Sequence, residues 1–245
     1  MSETTLPVDD CSTVEILGFP VRIRIQGEGS PLLLINGLTR PLESWDPFIA
    51  ALDHRQTICF DVPGVGGSPT PIVPPTMTGL AQIAVGVLDV AGVERADVLG
   101  LSFGGAIAQQ LAFQYPTRVR SLILVSTSCG LGSTSSNVDA AMAGPTPSGV
   151  EWLGSNPIGV FWNSLAIASW TSIPFLASIH SPTLVVTGEH DRLVPPANSR
   201  LLARRIVGAS LETLPAGHDL QKAKHAGALA HAVTRFLCNS VSVAS

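Results

Sequence analysis

The stretch LGLSFGGA, residues 99–106, sets Ser102 between Gly100 and Gly104 and adds Gly105 directly after. RADVLG, apolar and strand-length, precedes it, and GGAIAQQLAF, helical in composition, follows. A strand-to-helix turn this sharp crowds the backbone around the serine. Small residues two before and two after relieve that crowding. Composition alone supplies G-x-S-x-G in roughly one chain in five of this make-up. The flanking strand and helix therefore carry the reading, against the alternative of a close-packed glycine turn holding an idle serine.

Outward from this turn, apolar strand-length runs alternate with helix-length segments. Strands are expected at 32–35, 57–61, 96–100, 122–125, 183–187 and, with a weaker pattern, 210–214. Helices are expected at 44–52, 77–91, 103–114, 196–206 and 221–237. Near-continuous Val/Ile/Leu strands between helices imply an α/β fold with a mostly parallel, doubly wound sheet covered on both faces. TVEILGFPVRIRI adds a hairpin turning at 18–20, an antiparallel N-terminal edge. Residues 130–178 break the rhythm. They are rich in Gly, Ser and Pro and hold three of the four tryptophans. The chain therefore reads as a core of residues 1–129 and 179–245 around a short cap or lid at 130–178, the plainer alternative being an excursion sealed to the body by its tryptophans.

With 245 residues, 13% of them charged and 45% hydrophobic, the chain can bury a full core. A net charge of −4 without a basic run excludes an electrostatic footprint for nucleic acid. Apolar runs such as SLILV and PLLLI are far short of a membrane span. The opening MSETTLPVDD lacks the apolar core of a signal peptide, and Cys11, Cys59, Cys129 and Cys238 lie far apart. Reduced thiols in a cytoplasmic protein are the expectation. No metal-ligand spacing is present, and no metal or organic cofactor is expected.

A serine hydroxyl becomes a nucleophile only when an oriented base takes its proton. In doubly wound hydrolases the chain order is serine, acid, histidine. Asp191, in GEHDRLVPP just after the strand SPTLVVTG, fits the acid, and His218, in PAGHDL before the terminal helix, fits the base. Glu189, His190 and Asp219 compete as neighbours, while His54 and His180 fit a base less well. Oxyanion donors are expected from the backbone N–H of Phe103 and, across the loop NGLTR, that of Leu38. Gly37 lets that loop approach, and Asn36 is expected to hold it by side-chain hydrogen bonds. DVPGVGGSPTP lacks the lysine of a phosphate loop and reads as a rigid turn beside the site.

These stretches together resemble the α/β-hydrolases. More narrowly, INGL with WDPFIAALD, FDVPGVGGSPTP, GLSFGGAIAQQLAFQYP, and WTSIPFLASIHSPTLVVTGEHDRLVP with NSRLLARRI are similar to intracellular medium-chain-length poly(3-hydroxyalkanoate) depolymerases. The resemblance implies Ser102 as nucleophile, Asp191 as acid, His218 as base and the Asn-Gly loop as oxyanion arm. Phe103 departs from the tryptophan usual in those depolymerases, and the cap is shorter.

The expected activity is hydrolysis of a small-molecule or oligomeric carboxylic ester through an acyl-enzyme. Trp152, Phe161, Trp162 and Trp170 would furnish an apolar acyl site, with Trp162 and Trp170 lining it beside Asn36 and Gly37. Two rivals stay open: a cofactor-free lyase, haloperoxidase or cyclase using the same three residues, and a receptor-like binding protein. Apolar surface left by a short cap would also give a motive for homodimerisation.

Overall fold

The computed structural model describes residues 11–133 and 156–241. The expected hairpin forms, but it turns at Leu17 and Gly18, both at positive φ, rather than at 18–20: β1 (Cys11–Ile16) and β2 (Phe19–Gln26) pair antiparallel with Phe19 and Pro20 already in the strand. They join β3 (Ser30–Ile35), β4 (Arg55–Phe60), β5 (Ala96–Leu101), β6 (Val119–Val125), β7 (Thr183–Gly188) and β8 (Ser210–Leu214) in one sheet. Its order is β1-β2-β4-β3-β5-β6-β7-β8. β2 runs against both of its neighbours, and every pairing from β4 to β8 is parallel.

Alternation along the strands loads both faces of this sheet. Leu33, Ile35, Val98, Leu122, Leu124 and Val185 face one apolar layer, with α2 (Met77–Val90), α3 (Phe103–Gln114) and α5 (Pro196–Arg205). Leu32, Leu34, Leu99, Ile123, Val125 and Val186 face the other, with α1 (Asp46–Ile49) and α6 (Ala223–Val241). Each fully buried Leu or Ile stabilises the fold by about 2 kcal/mol relative to exposure. Strands buried on both sides therefore read as continuous apolar runs, which is why they were legible. α3 is buried along nearly its whole length and carries no charge, as a helix enclosed by core must be.

Two expected elements differ. Residues 44–52 hold only a 3-10 turn at Leu42–Trp45 and the single turn of α1. Beyond it, Ala51 and Leu52 bond three residues back, to Phe48 and Ile49, tightening the chain before His54 takes a positive φ. The last helix begins at Ala223 rather than 221, because residues 218–222 are spent in turns.

Of the expected insertion, residues 134–155, including Trp152, lie outside the described residues. The rest contains α4 (Pro157–Ala168), a helix absent from the expected set although its start signals are present. The Asn156 side chain accepts from Ile158 N–H and Pro157 occupies the first turn. The neck of the insertion is pinched by a bridge between Gly130 and Thr171 and by the N–H of Leu131 donating to Trp170 O.

All four cysteines are free thiols. Burial pushes that of Cys59 up to about 12 and also raises Cys129. Among the described residues no helix is long and apolar enough to cross a membrane.

Candidate active site

Ser102 joins β5 to α3 with φ 54° and ψ −118°, a conformation that costs a non-glycine residue of order 1–3 kcal/mol. Three glycines make it attainable. A Cβ on Gly100 would stand 2.3 Å from Gly104 O, one on Gly104 2.1 Å from Ile35 O, and one on Gly105 2.5 Å from Thr127 Cβ. The turn is then held in place. Ser102 N–H donates to Val125 O at 2.9 Å, and Thr127 Oγ1 donates to Ser102 O at 2.7 Å. Phe103, next in sequence, is the first residue of α3, so its N–H has no acceptor within the helix. Its ring is buried in the layer shared with α2.

The loop after β3 reaches the same point. A Cβ on Gly37 would lie 3.6 Å from Ser102 Cβ, which sets the loop against the elbow and Leu38 just past it. Asn36 anchors the start of that loop: Nδ2 donates to Pro41 O and Ser44 Oγ at 2.8 and 2.6 Å, while Oδ1 accepts from Gly37 N–H at 3.1 Å. The expected bracing role of the Asn36 side chain is thus the observed one.

Asp191 and His218 meet. His218 Nδ1 lies 2.9 Å from Asp191 Oδ2, and the Asp191 side chain is fully buried. The second carboxylate oxygen, Oδ1, accepts from the N–H groups of Leu193 and Val194 at 3.0 and 2.8 Å. One oxygen orients the acid and the other is given to the imidazole. The loop of Asp191 is tied to that of His218, with His190 N–H donating to Ala216 O at 2.9 Å. Of the competing neighbours, Asp219 turns to Arg40 and Lys222 instead.

DVPGVGGSPTP is the rigid turn anticipated, and the residue that makes it so is Asp61. Its Oδ1 accepts from Leu42 N–H at 2.7 Å, and its Oδ2 accepts from Gly67 N–H at 2.8 Å and Arg22 Nη1 at 3.2 Å. Burial pushes this carboxyl above its ordinary range, outweighing those donors. The turn also seats the insertion: Gly64 and Gly159 pack backbone to backbone, and Asn163 Nδ2 donates to Pro63 O at 3.0 Å.

The expected lining residues divide. Trp162 is half-buried on α4 with Phe161 beside it, ring centres 5.4 Å apart. Trp170 is buried against α3, its Nε1 donating to Gln110 Oε1 at 2.6 Å. It also walls a cavity of about 350 Å³ with Pro74, Met77, Leu165 and Ala166, whose lining includes none of Ser102, Asp191 and His218. Two bracing residues escaped the sequence reading. Thr127 supports the elbow, and Gln109 bonds Gly105 O and Ser128 O while accepting from Ser172 Oγ. A pair of glutamines inside the otherwise apolar run of α3 was the available signal.

With this geometry in hand, the class follows. Residues 30–173 match the family model of the alpha/beta hydrolase fold, and the chain belongs to that family. It is similar to a poly(3-hydroxyalkanoate) depolymerase of Ectopseudomonas oleovorans, 37% identical over 85% of this chain and 84% of that protein. Among solved structures it resembles a hydrolase from Pseudomonas aeruginosa PA01, with TM-score 0.83 and 28% identity over 93% of this chain and 98% of that one. It also resembles the enol-lactonase from Burkholderia xenovorans LB400, with TM-score 0.84 and 26% identity over 93% of this chain and all of that one (100%). The protein is a hydrolase of this fold.

Proposed function

We propose that the protein hydrolyses carboxylic esters, with Ser102 as nucleophile, His218 as general base and Asp191 as the acid that orients it. The observation that carries this reading is the contact between His218 Nδ1 and Asp191 Oδ2 at the C-terminal ends of the parallel strands, where Ser102 sits in its positive-φ turn. A proton held on Nδ1 by the carboxylate leaves Nε2 as the acceptor for the serine proton. Attack forms a tetrahedral intermediate whose oxyanion takes hydrogen bonds from the N–H groups of Phe103 and Leu38. Collapse expels the alcohol with the proton from His218. Water, deprotonated by the same base, then releases the acid.

The similarity to a poly(3-hydroxyalkanoate) depolymerase supports a hydroxyalkanoate ester or oligomer as substrate, and the apolar α4 beside the turn 61–69 supports an apolar acyl group. The proposed cap is residues 130–178, and the proposed compartment is the cytoplasm.

The test compares wild type with Ser102→Ala on p-nitrophenyl esters from acetyl to dodecanoyl and on 3-hydroxyalkanoate oligomers, alongside labelling by a fluorophosphonate. Wild type is expected to turn over esters and take one equivalent of probe, and Ser102→Ala to do neither. Turnover by Ser102→Ala near the wild-type rate would remove Ser102 from the mechanism.

A further inference from the structure

Two loops from opposite ends of the chain meet beside Ser102. Arg40, at the tip of the loop after β3, forms an ion pair through Nη2 with Oδ1 of Asp219, the residue after His218. The partners are 179 residues apart in sequence. The Arg40 side chain is 13% and the Asp219 side chain 29% exposed, so the pair is partly shielded from solvent. Its stem lies over Gly37: Cδ and Nε stand 3.6 and 3.8 Å from where a Gly37 Cβ would be, and that same point is 3.6 Å from Ser102 Cβ. Asp219 Oδ2 is taken by Lys222 Nζ at 2.9 Å. Burial alone would push the Asp219 carboxyl up, but the charges of Arg40 and Lys222 outweigh it and hold the group below its ordinary value.

We infer that the Arg40–Asp219 pair is a latch that holds the oxyanion arm and the histidine loop in register around Ser102, an inference that rests on the ester-hydrolase reading above. Asn36 ties the two ends of the arm to each other, through Pro41 O and Ser44 Oγ, and Arg40 N–H donates to Gly37 O at 3.2 Å, so these bonds shape the arm from within. Asp191 fixes the ring of His218 but not the chain that follows it. The ion pair joins the far side of each loop to the other. Opening it would move the Leu38 N–H and the imidazole relative to one another without removing either. Arg40 and Asp219 are thus positioning residues. Misplacing a group by about an ångström is enough to cost a reaction one to two orders of magnitude.

The full-length chain carries the test, with Arg40→Met, which keeps the stem over Gly37, with Asp219→Asn, with the double variant, and with Arg40→Lys. On p-nitrophenyl butyrate each single variant should lose kcat by about tenfold with KM within about twofold. The double variant should fall no lower than the worse single, because one interaction is lost only once. Arg40→Lys should recover part of the rate. Losses that multiply in the double variant, or melting temperatures that fall while kcat stays within about twofold of wild type, overturn the latch. If wild type neither cleaves esters nor takes the phosphonate, the hydrolase reading fails separately. Hydrogen exchange then decides the latch. Faster exchange of the amides of residues 37–40 in Asp219→Asn supports it, and exchange equal to wild type overturns it.

Discussion

Two aspartates buried at opposite ends of the strands of one sheet show how a structural carboxylate differs from the one proposed here to orient a base. Asp97, at the start of β5, is gripped by guanidinium groups. Arg120 binds it through Nε and Nη2 at 2.9 and 2.7 Å, and Arg55 Nη1 adds a third contact at 2.7 Å. Both oxygens are bonded to guanidinium groups, and the two arginines tie β4, β5 and β6 together near their N-terminal ends. Asp191, beyond the other end of the strands, is hydrogen-bonded to no arginine among the described residues. Two backbone amides aim one of its oxygens, and the second holds an imidazole that can gain and lose a proton. Burial is common to both. The partner's capacity to change charge is what differs.

The largest expected effect breaks the reactive side of this contrast. In Asp191→Asn the amide oxygen should stay with the Leu193 and Val194 N–H groups, leaving the amide NH₂ against His218 Nδ1. That forces the proton onto Nε2, the wrong tautomer for a base, and should lower kcat by about 10⁴-fold with little change in the urea midpoint. A drop of less than about tenfold would mean that another group orients the histidine.

Asp97→Ala should do the converse. Two arginines lose a buried partner, at a cost of about 3 kcal/mol, or about 8 °C in melting temperature, while kcat at 25 °C stays within about twofold of wild type. A large fall in kcat with an intact melting temperature would erase the distinction between the two ends of the sheet.

Asp61 lies between these cases, held by two amides and one arginine, and should give the smallest effect. Because burial raises its carboxyl in the folded chain, the folded state takes up a proton before the unfolded chain does as pH falls. Its contribution is therefore fully present below the ordinary carboxylate value, is lost as pH rises through the raised folded value, and is level beyond. Urea midpoints of wild type and Asp61→Asn, followed from about pH 4 to about pH 7, should show the wild type losing ground relative to the variant across that window. A wild type that instead gains on the variant as pH rises would contradict the raised carboxyl.

The parts of the site that could be read early share one property: local backbone geometry dictates them. The elbow needs Gly100 and Gly104, and strand ends are where loops such as those of Asp191 and His218 converge. The parts that could not be read are contacts between segments remote in sequence. Nothing near Arg22 or Asp61 announces that they meet, and nothing near Arg40 announces Asp219, because each pairing is made by the fold and not by the neighbouring residues. Helix α4 was missed for a different reason. Its buried residues are Gly159, Asn163 and Ala166, small or polar, so no large apolar core face marks it, and it lies in a Gly-, Ser- and Pro-rich stretch.

Hydrophobic patterning and glycine placement were enough, by themselves, to determine the sheet, its helices and the turn that presents Ser102, since strands buried on both faces and a strained turn each admit few residue types. Its place just after β7 already favoured Asp191 as the acid, but only the tertiary structure shows what separates it from Asp219. Loop amides aim Asp191 at the His218 ring, while Arg40 and Lys222 claim Asp219, contacts that no run of neighbouring residues announces.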